Sequence, residues 1–332
     1  MPGNDPVIKN SKMDTMKTLL FKNGDELDAI GLGTWKSTPG EVGRAVMTAL
    51  DVGYRHLDCA AIYGNEKEIG EALQKAFAQG KAKRKDVWIT SKLWNNAHAK
   101  EEVLPALKKT LSDLQLDYLD LYLVHWPVSL KPGVSFPSSG DDFRSLQETP
   151  LIETWQAMEQ ALRQGLVRHV GVSNFSAQKL EELIQKADHP PEMDQVELHP
   201  YLQQTDLLHF TQQHELYLTG YSPLGSPDRP ERLRKAGDPT LLDNPVIQEI
   251  ARARDCTSAQ VLIRWAVQRG TAVIPKSANP KRIRENFEAA QVHLTESDMQ
   301  KIGELDKHYR FIDGGTWTED NAYYTMESLW NE

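Results

Sequence analysis

The 332-residue sequence has few cysteines, no excess of basic residues and no long apolar run, and each shortage excludes a class of protein. Cys59 and Cys256 alone cannot form the framework of a disulfide-stabilised scaffold. A formal net charge of −9 is opposite to the basic excess of nucleic-acid-binding proteins, so we expect no nucleic-acid partner. No apolar run approaches the roughly 18 residues of a membrane span. Residues 1–16 lack the apolar core of a secretory signal, so we expect a cytoplasmic protein without a membrane partner.

Apolar residues, 39% of the chain, occur in two alternating patterns. Short apolar runs typical of buried parallel strands alternate with segments in which apolar residues recur at helical spacing. Eight strands each followed by a helix predict an α/β fold, the (β/α)₈ barrel. We expect one barrel domain over residues 17–332, preceded by a polar tail at residues 1–16. The predicted strands are 29–35, 54–60, 87–94, 119–126, 167–172, 193–198, 216–221 and 271–274.

Three segments exceed what a minimal barrel needs, namely 128–150, 226–244 and the C-terminal residues 306–332. Connections longer than about 12–15 residues are usually functional or disordered. Active sites of such barrels lie at the carboxyl ends of the strands, so we expect these long loops and the tail to cover that end. An open doubly wound sheet is the alternative, but it would need a GxGxxG turn, which the sequence lacks.

Polar residues stand at the ends of three neighbouring predicted strands: Asp58 and then Tyr63 after the second, Lys92 in the third and His125 in the fourth. A phenol titrates near about pH 10, and a nearby ammonium group lowers its pKa. A carboxylate paired with that ammonium keeps it charged, and an imidazole can hydrogen-bond the same substrate oxygen. Together the four residues predict an acid directed at an oxygen that develops negative charge.

Other interpretations of these residues remain open at this point. Singly, a strand-end Asp is often a cap, a Tyr is usually core, and a His beside Trp is usually structural. A metal-dependent barrel hydrolase would use His56, Asp58, His125 and His199 as ligands, although Lys92 would then have no evident role. A serine hydrolase would need a GxSxG segment, which is absent.

The four residues and the segments around them resemble the aldo-keto reductase superfamily, in particular its aldehyde reductase/aldose reductase branch. The resemblance runs in order from about residue 21 to residue 317. The matching segments are Gly31-Leu32-Gly33-Thr34-Trp35, Leu57-Asp58-Cys59-Ala60, Tyr63-Gly64-Asn65-Glu66, Ser91-Lys92-Leu93-Trp94, Val124-His125-Trp126-Pro127, Gly171-Val172-Ser173-Asn174-Phe175, Gln195-Val196-Glu197, Tyr221-Ser222-Pro223-Leu224-Gly225-Ser226 and Ile274-Pro275-Lys276-Ser277.

The resemblance implies an NADP-dependent oxidoreductase that reduces aldehydes, and some ketones or sugars, to alcohols. It implies that Tyr63 is the general acid, Lys92 lowers the pKa of Tyr63, Asp58 pairs with Lys92, and His125 orients the carbonyl. The implied substrate pocket is walled by Trp35, Trp94 and Trp126, and no metal is implied. A module that binds NADPH without turnover, as in relatives that regulate other proteins, remains an alternative. We expect a monomer.

The resemblance also implies which residues bind the cofactor, NADPH/NADP⁺. Lys276 and Arg282 supply two cations, which suit a 2′-phosphate and add nothing for a bare ribose hydroxyl. Barrels often bind phosphate with the last two loops and a helix N-terminus, which fits this position. The implied cofactor-binding residues are Gly33, Thr34, Trp35, Ser173, Asn174, Gln195, Tyr221, Ser222, Leu224, Ser226, Lys276, Ser277, Arg282, Glu285 and Asn286.

Overall fold

Strands and helices alternate through residues 17–235, 237–318 and 323–331, the part of the chain that the computed structural model describes. The predicted polar tail, residues 1–16, lies outside it. The strands are β1 (Thr18–Leu20), β2 (Glu26–Asp28), β3 (Leu32–Gly33), β4 (His56–Asp58), β5 (Trp88–Leu93), β6 (Leu119–Val124), β7 (Ser129–Leu130), β8 (Phe143–Arg144), β9 (Val167–Ser173), β10 (Met193–Glu197), β11 (Tyr217–Tyr221) and β12 (Ala272–Val273). The helices are α1 (Val42–Val52), α2 (Glu66–Ala78), α3 (Lys100–Leu114), α4 (Leu151–Arg163), α5 (Ala177–Ile184), α6 (Thr205–Gln213), α7 (Pro245–Ala253), α8 (Ser258–Gln268), α9 (Pro280–Glu288), α10 (Glu296–Gly303) and α11 (Met326–Trp330).

The chain forms two compact units, and it passes from one to the other several times. The prediction of a single domain over residues 17–332 stays a prediction. The first unit takes the described residues of Met1–Asp58, Ala76–Trp88 and Val196–Ile312, and the second takes those of Cys59–Lys75, Ile89–Gln195 and Asp313–Glu332.

The first unit contains the parallel strands β11, β12, β3 and β4. Thr219 pairs with Ala272 and Leu32 with Leu57, and an isolated bridge from Ile30 to Val273 joins the region of β12 to that of β3. A Cβ atom on Gly33 would lie 2.6 Å from the carbonyl oxygen of Ile274, so the close approach of these two backbones requires glycine.

The second unit contains β5, β6, β9 and β10, also parallel and in that order. Thr90 pairs with Leu121, Leu121 with His169, and Val172 with Asp194. Every residue of β5, β6 and β10 is buried, which is typical of parallel strands covered on both faces. Helices α3 and α4 pack on each other, and α4 packs on β9.

Each of the eight predicted strand segments overlaps one of these parallel strands, and β9 extends one residue beyond its predicted end. The antiparallel hairpin of β1 and β2 is additional, and so is the ribbon of β7 and β8 inside the predicted loop 128–150. Each of the eight parallel strands is followed by at least one helix, as predicted, and α10 and α11 come after α9 in addition. None of the helices in the described ranges is long and apolar enough to cross a membrane.

Candidate functional site

Tyr63 and Lys92 lie together in the second unit. Tyr63 ends a one-turn 3₁₀ segment, Ala61–Tyr63, and Gly64 after it adopts φ +69°, which glycine allows without strain. Lys92 lies near the end of β5, and its side chain is fully buried. Its Nζ donates to the Cys59 carbonyl oxygen at 2.8 Å and lies 3.4 Å from the Tyr63 hydroxyl oxygen. The structure therefore brings a phenol within hydrogen-bond reach of a buried ammonium group.

Asp58 ends β4 in the first unit and is 1% exposed. It directly precedes Cys59, whose carbonyl accepts from Lys92. The Asp58 carbonyl accepts the Thr34 hydroxyl at 2.7 Å, which joins the residues after β3 to the end of β4. The pairing of the Asp58 carboxylate with Lys92 stays a prediction.

His125 follows β6, and its backbone amide donates to the Leu93 carbonyl at 3.1 Å. Its ring stands edge-on to Trp94 and to Tyr63, with centroid distances of 5.0 and 6.0 Å. Burial, reinforced by the charges of Lys92 and His98, holds the pKa of His125 well below its usual range. Its Nδ1 has no hydrogen-bond partner among the described residues. A neutral imidazole of this kind can donate from one ring nitrogen.

Aromatic side chains form a continuous wall in the second unit. The indole of Trp317, from the C-terminal segment, lies 5.6 Å from both Trp94 and Trp126, measured between ring centroids. Phe136, from segment 128–150, stacks on Trp317 at 6.2 Å and is 46% exposed. Segment 128–150 and the C-terminal tail thus lie beside two of the predicted pocket residues. The third, Trp35, lies in the first unit, under the Lys36 ammonium group.

Three of the predicted cofactor-binding residues, Ser173, Asn174 and Gln195, are buried in the second unit and joined to one another. The Ser173 hydroxyl donates to the Gln195 carbonyl at 2.7 Å. Asn174 has a positive φ of +64°, and its Nδ2 donates to the His125 carbonyl at 2.9 Å. A left-handed residue other than glycine is uncommon and often marks a functional site. The hydrogen bond from Asn174 links this group to His125.

The turn after β11 carries four predicted cofactor residues in the first unit. Tyr221 ends the strand, Ser222 and Ser226 have φ values of +51° and +43°, and Leu224 lies between them. The two serine hydroxyl oxygens are 2.8 Å apart. The buried guanidinium of Arg229 donates to the carbonyl of Ser226 at 3.2 Å and pairs with Asp238, which fixes the turn.

Two lysines of the first unit share one carboxylate. Lys36 Nζ lies 2.7 Å from one oxygen of Asp228, and Lys276 Nζ lies 3.4 Å from the other. Lys276 also donates to the carbonyl of Lys36 at 3.3 Å. Burial lowers the pKa of Lys36 and acts to raise that of Asp228, but the hydrogen bond and charge of Lys36 lower the pKa of Asp228 overall. The trio carries two cations and one anion, so its net charge is +1.

The start of α9 differs in one respect from the phosphate-binding helix N-terminus that is expected from the sequence. Asn279 directly precedes Pro280, and this pair predicts a helix cap followed by the first helical residue. Asn279 does cap the helix, and its Oδ1 accepts the amides of Lys281 and Arg282 at 3.0 and 3.2 Å. Because Asn279 already accepts these two amides, a phosphate bound at the start of α9 would contact side chains instead. The other predicted residues of the region differ in burial: Ser277 and Asn286 are buried, Glu285 is half-buried and Arg282 is exposed.

Two histidines of the metal-hydrolase interpretation, His56 and His199, have other partners. His56 Nδ1 lies 3.0 Å from the Asp28 carbonyl oxygen, and His199 Nε2 lies 2.8 Å from Glu197 Oε1. Within residues 17–235, 237–318 and 323–331, no group of three or more His, Cys, Asp or Glu side chains is placed to hold a metal ion.

Several residues that shape these sites escaped the sequence prediction. Glu197 is buried and accepts the amides of Phe311 and Ile312 at 2.7 and 2.8 Å, which ties the start of the C-terminal segment to the end of β10. The contact between Lys36 and Asp228 joins two residues that are 192 positions apart in the sequence. No local pattern indicates such pairs, although Asp228 lies in a segment already marked by its length.

Comparisons with known proteins show what the whole chain is similar to. A model of the aldo/keto reductase family matches residues 29–307. The chain is 55% identical over 322 residues to an aldo/keto reductase of Synechocystis sp., covering 97% of this chain and 98% of that protein. It is 49% identical over 291 residues to aldo-keto reductase family 1 member A1 of Xenopus tropicalis, covering 87% and 88%. The aldose reductase structure from Schistosoma japonicum matches with a TM-score of 0.83 and 40% identity, over 91% of this chain and 96% of that one. This match confirms the predicted (β/α)₈ fold.

Proposed function

The chain belongs to the aldo/keto reductase family, and we propose that it is an NADPH-dependent reductase that converts aldehydes, and some ketones or sugars, to alcohols. Aldo/keto reductases are oxidoreductases and generally use nicotinamide cofactors. The observation that carries the proposal is the 3.4 Å separation of the Tyr63 hydroxyl from the buried Lys92 ammonium, beside the imidazole of His125.

The reduced nicotinamide, when bound, supplies the hydride that reaches the carbonyl carbon. Tyr63 donates its phenolic proton to the carbonyl oxygen as negative charge develops there. The Lys92 ammonium stabilises the phenolate that remains, because an opposite charge at this distance favours the ionised form. His125, which burial keeps neutral, donates a hydrogen bond to the same oxygen and orients it. In the reverse reaction Tyr63 accepts the proton as a base.

The aromatic wall supports an aldehyde substrate with an apolar body. Indole and phenyl faces bury apolar surface and discriminate little between polar groups. Trp94 and Trp126 are 7% and 6% exposed, so they form a lining rather than an outer surface. Aromatic aldehydes should therefore be reduced more readily than sugars, whose hydroxyl groups would lose water without compensation at this wall.

The donor set of the first unit fits a phosphate-bearing dinucleotide. Lys36, Asp228 and Lys276 carry a net charge of +1 together, and Arg282 adds an exposed cation at the start of α9. The positive charge of these residues is opposite in sign to the formal net charge of the full chain, which is −9. Ammonium and guanidinium groups suit phosphate oxygens. In the proposed complex Arg282 holds the 2′-phosphate, and Ser173, Asn174 and Gln195 hold the carboxamide.

Steady-state consumption of NADPH with a panel of aldehydes, ketones, sugars and polyols tests the proposed function. We expect turnover with aromatic aldehydes, weaker turnover with sugars, and a preference for NADPH over NADH. Tight NADPH binding with no consumption across the panel would instead show a binding module. Loss of activity on adding a chelator would contradict the metal-free mechanism.

Arg282→Ala should weaken NADPH binding much more than NADH binding. A hydrogen bond to a charged group contributes about 1.5–3 kcal/mol, so the Kd for NADPH should rise roughly ten- to a hundredfold. Arg282 is a cleaner test than Lys276, because Lys276 also bonds Asp228 and the Lys36 carbonyl.

Arg284→Ala is the matched control for this experiment. Arg284 is also exposed, two residues further along α9, so it points away from the face that carries Arg282. It should change neither Kd, measured by quenching of tryptophan fluorescence. Equal weakening of NADPH and NADH by Arg282→Ala would show that this residue does not distinguish the two cofactors.

A further inference from the structure

We propose that Glu66 is a positioning residue that holds the Tyr63 hydroxyl against the Lys92 ammonium; the importance of this role for turnover rests on the proposed function. Glu66 is the first residue of α2 and follows Tyr63 by three positions. Its side chain does not belong to the site residues described above. It connects the segment that carries the acid to the strand that carries the cation.

The first half of this connection is a short hydrogen bond. Ser91 Oγ donates to Glu66 Oε1 at 2.5 Å, and Ser91 directly precedes Lys92 on β5. Both side chains are buried: Ser91 is 0% exposed and Glu66 is 4% exposed. Successive side chains of a strand point to opposite faces, so Ser91 reaches Glu66 from one face while Lys92 reaches Tyr63 from the other. The Glu66 carboxyl group thus connects the chain just after Tyr63 to the strand residue just before Lys92.

The second oxygen of Glu66 has a different partner. Thr110 Oγ1, on α3, donates to Oε2 at 3.1 Å. Burial raises the pKa of Glu66 to about 7, while the two hydroxyl groups and Lys92 act to lower it and Asp113 adds to the rise. Burial therefore favours the neutral form of this carboxyl. A neutral amide of the same shape is consequently a close substitute for it.

The Tyr63–Lys92 contact needs such a connection because it is long. A separation of 3.4 Å is at the upper end of the hydrogen-bond range, so a small further displacement would break it. Tyr63 sits in a single 3₁₀ turn followed by Gly64. The hydrogen bonds of such a turn have poorer geometry than those of an α-helix. The hydrogen bond between Ser91 and Glu66 ties the residues after this turn to β5, and the bonds of Cys59 with Thr90 and Lys92 tie the residues before it.

Glu66 accepts hydrogen bonds from two hydroxyl groups, and two variants that each remove one of these donors separate positioning from general packing. Ser91→Ala breaks the connection to β5, and Thr110→Val breaks only the connection to α3. The first readout is the pKa of the Tyr63 phenol in the cofactor-free chain, measured by NMR with carbon-13-labelled tyrosine and assigned with Tyr63→Phe. We expect Ser91→Ala to raise this pKa and Thr110→Val to leave it unchanged, at similar losses of thermal stability.

The second readout is kinetic. Glu66→Ala should lower kcat for aldehyde reduction by roughly ten- to a hundredfold, the scale of a small misplacement of a catalytic group. The Kd for NADPH should not change. Glu66→Gln should restore kcat and the Tyr63 pKa close to the original values, because the amide oxygen still accepts from Ser91 and its NH₂ can donate to Thr110.

Two outcomes would overturn the role of Glu66. Equal shifts of the Tyr63 pKa in Ser91→Ala and Thr110→Val would show that Glu66 supports the fold without positioning Tyr63. A Glu66→Gln variant as impaired as Glu66→Ala would show that charge, not geometry, matters. If Glu66→Ala does not fold, Ser91→Ala still decides the question. An unmodified chain that reduces no aldehyde would refute the proposed function, whereas the pKa comparison would still test the connection.

Discussion

Tyr63→Phe should lower kcat for aldehyde reduction by about 10²–10⁴-fold, the usual contribution of a general acid. The variant removes one oxygen atom, the one that lies 3.4 Å from Lys92 Nζ, and leaves the ring that packs against His125. The proton would then have to come from water, which no side chain holds in place of the phenol. Because the hydroxyl stabilises the transition state rather than the bound cofactor, the Kd for NADPH should stay the same.

Tyr122→Phe is the matched control for this substitution. Tyr122 lies on β6 in the same unit, is fully buried, and its hydroxyl has no hydrogen-bond partner in the part of the chain that the structure describes. Its loss should leave kcat unchanged in steady-state assays of NADPH oxidation. Retained turnover in Tyr63→Phe, or an equal loss in Tyr122→Phe, would contradict the assignment of the acid.

Lys92→Met should lower kcat by about a hundredfold, because the phenolate of Tyr63 would lose its stabilising charge. The variant should also lose stability, because removing one partner of a buried pair, here the predicted pair with Asp58, leaves the other charge uncompensated. The Cys59 carbonyl would lose one donor, at a cost of about 1 kcal/mol. The measurements are kcat and the midpoint of thermal unfolding.

The same variant has a second signature in its pH dependence. Reduction requires protonated Tyr63, so its rate falls as the pH rises through the pKa of this phenol. Without the Lys92 ammonium that pKa returns toward its ordinary value, so the fall in Lys92→Met should occur at higher pH. His125 should add no inflection near pH 6–7, because burial holds its pKa well below that range. An unchanged profile in Lys92→Met would mean that the ammonium does not act on Tyr63.

Lys92 and His125 could be found in the sequence because each stands at the end of a recognisable strand, and Tyr63 because it closely follows one. Lys92 and His125 close nearly continuous apolar runs, and all six residues of β5 and of β6 are buried. Carboxyl ends of neighbouring parallel strands lie at one edge, which brings such residues together. The chain-distant contacts could not be found in this way. Lys36 and Asp228 meet across 192 positions, and neither ends a strand.

Two inferences from the sequence compete at α9. One identifies Asn279 as a helix cap, and the other expects the same helix N-terminus to bind a phosphate. The structure confirms the cap, whose Oδ1 occupies the amides of Lys281 and Arg282. A side chain that satisfies these amides is recognisable from the Asn-Pro pair, whereas its effect on a ligand depends on geometry. Phosphate recognition therefore falls to the side chains of Lys276 and Arg282 in the proposed complex.

The central claim is that Tyr63, made more acidic by Lys92, delivers the proton that completes carbonyl reduction. Its most direct test is the single-turnover rate of NADPH oxidation with an aromatic aldehyde, followed across pH for the unmodified chain and for Tyr63→Phe. The account predicts a rate that falls with rising pH at an inflection below about pH 10, the ordinary pKa of a phenol, and that is slow and lacks this inflection in Tyr63→Phe. The same rate and the same inflection in both proteins would contradict it.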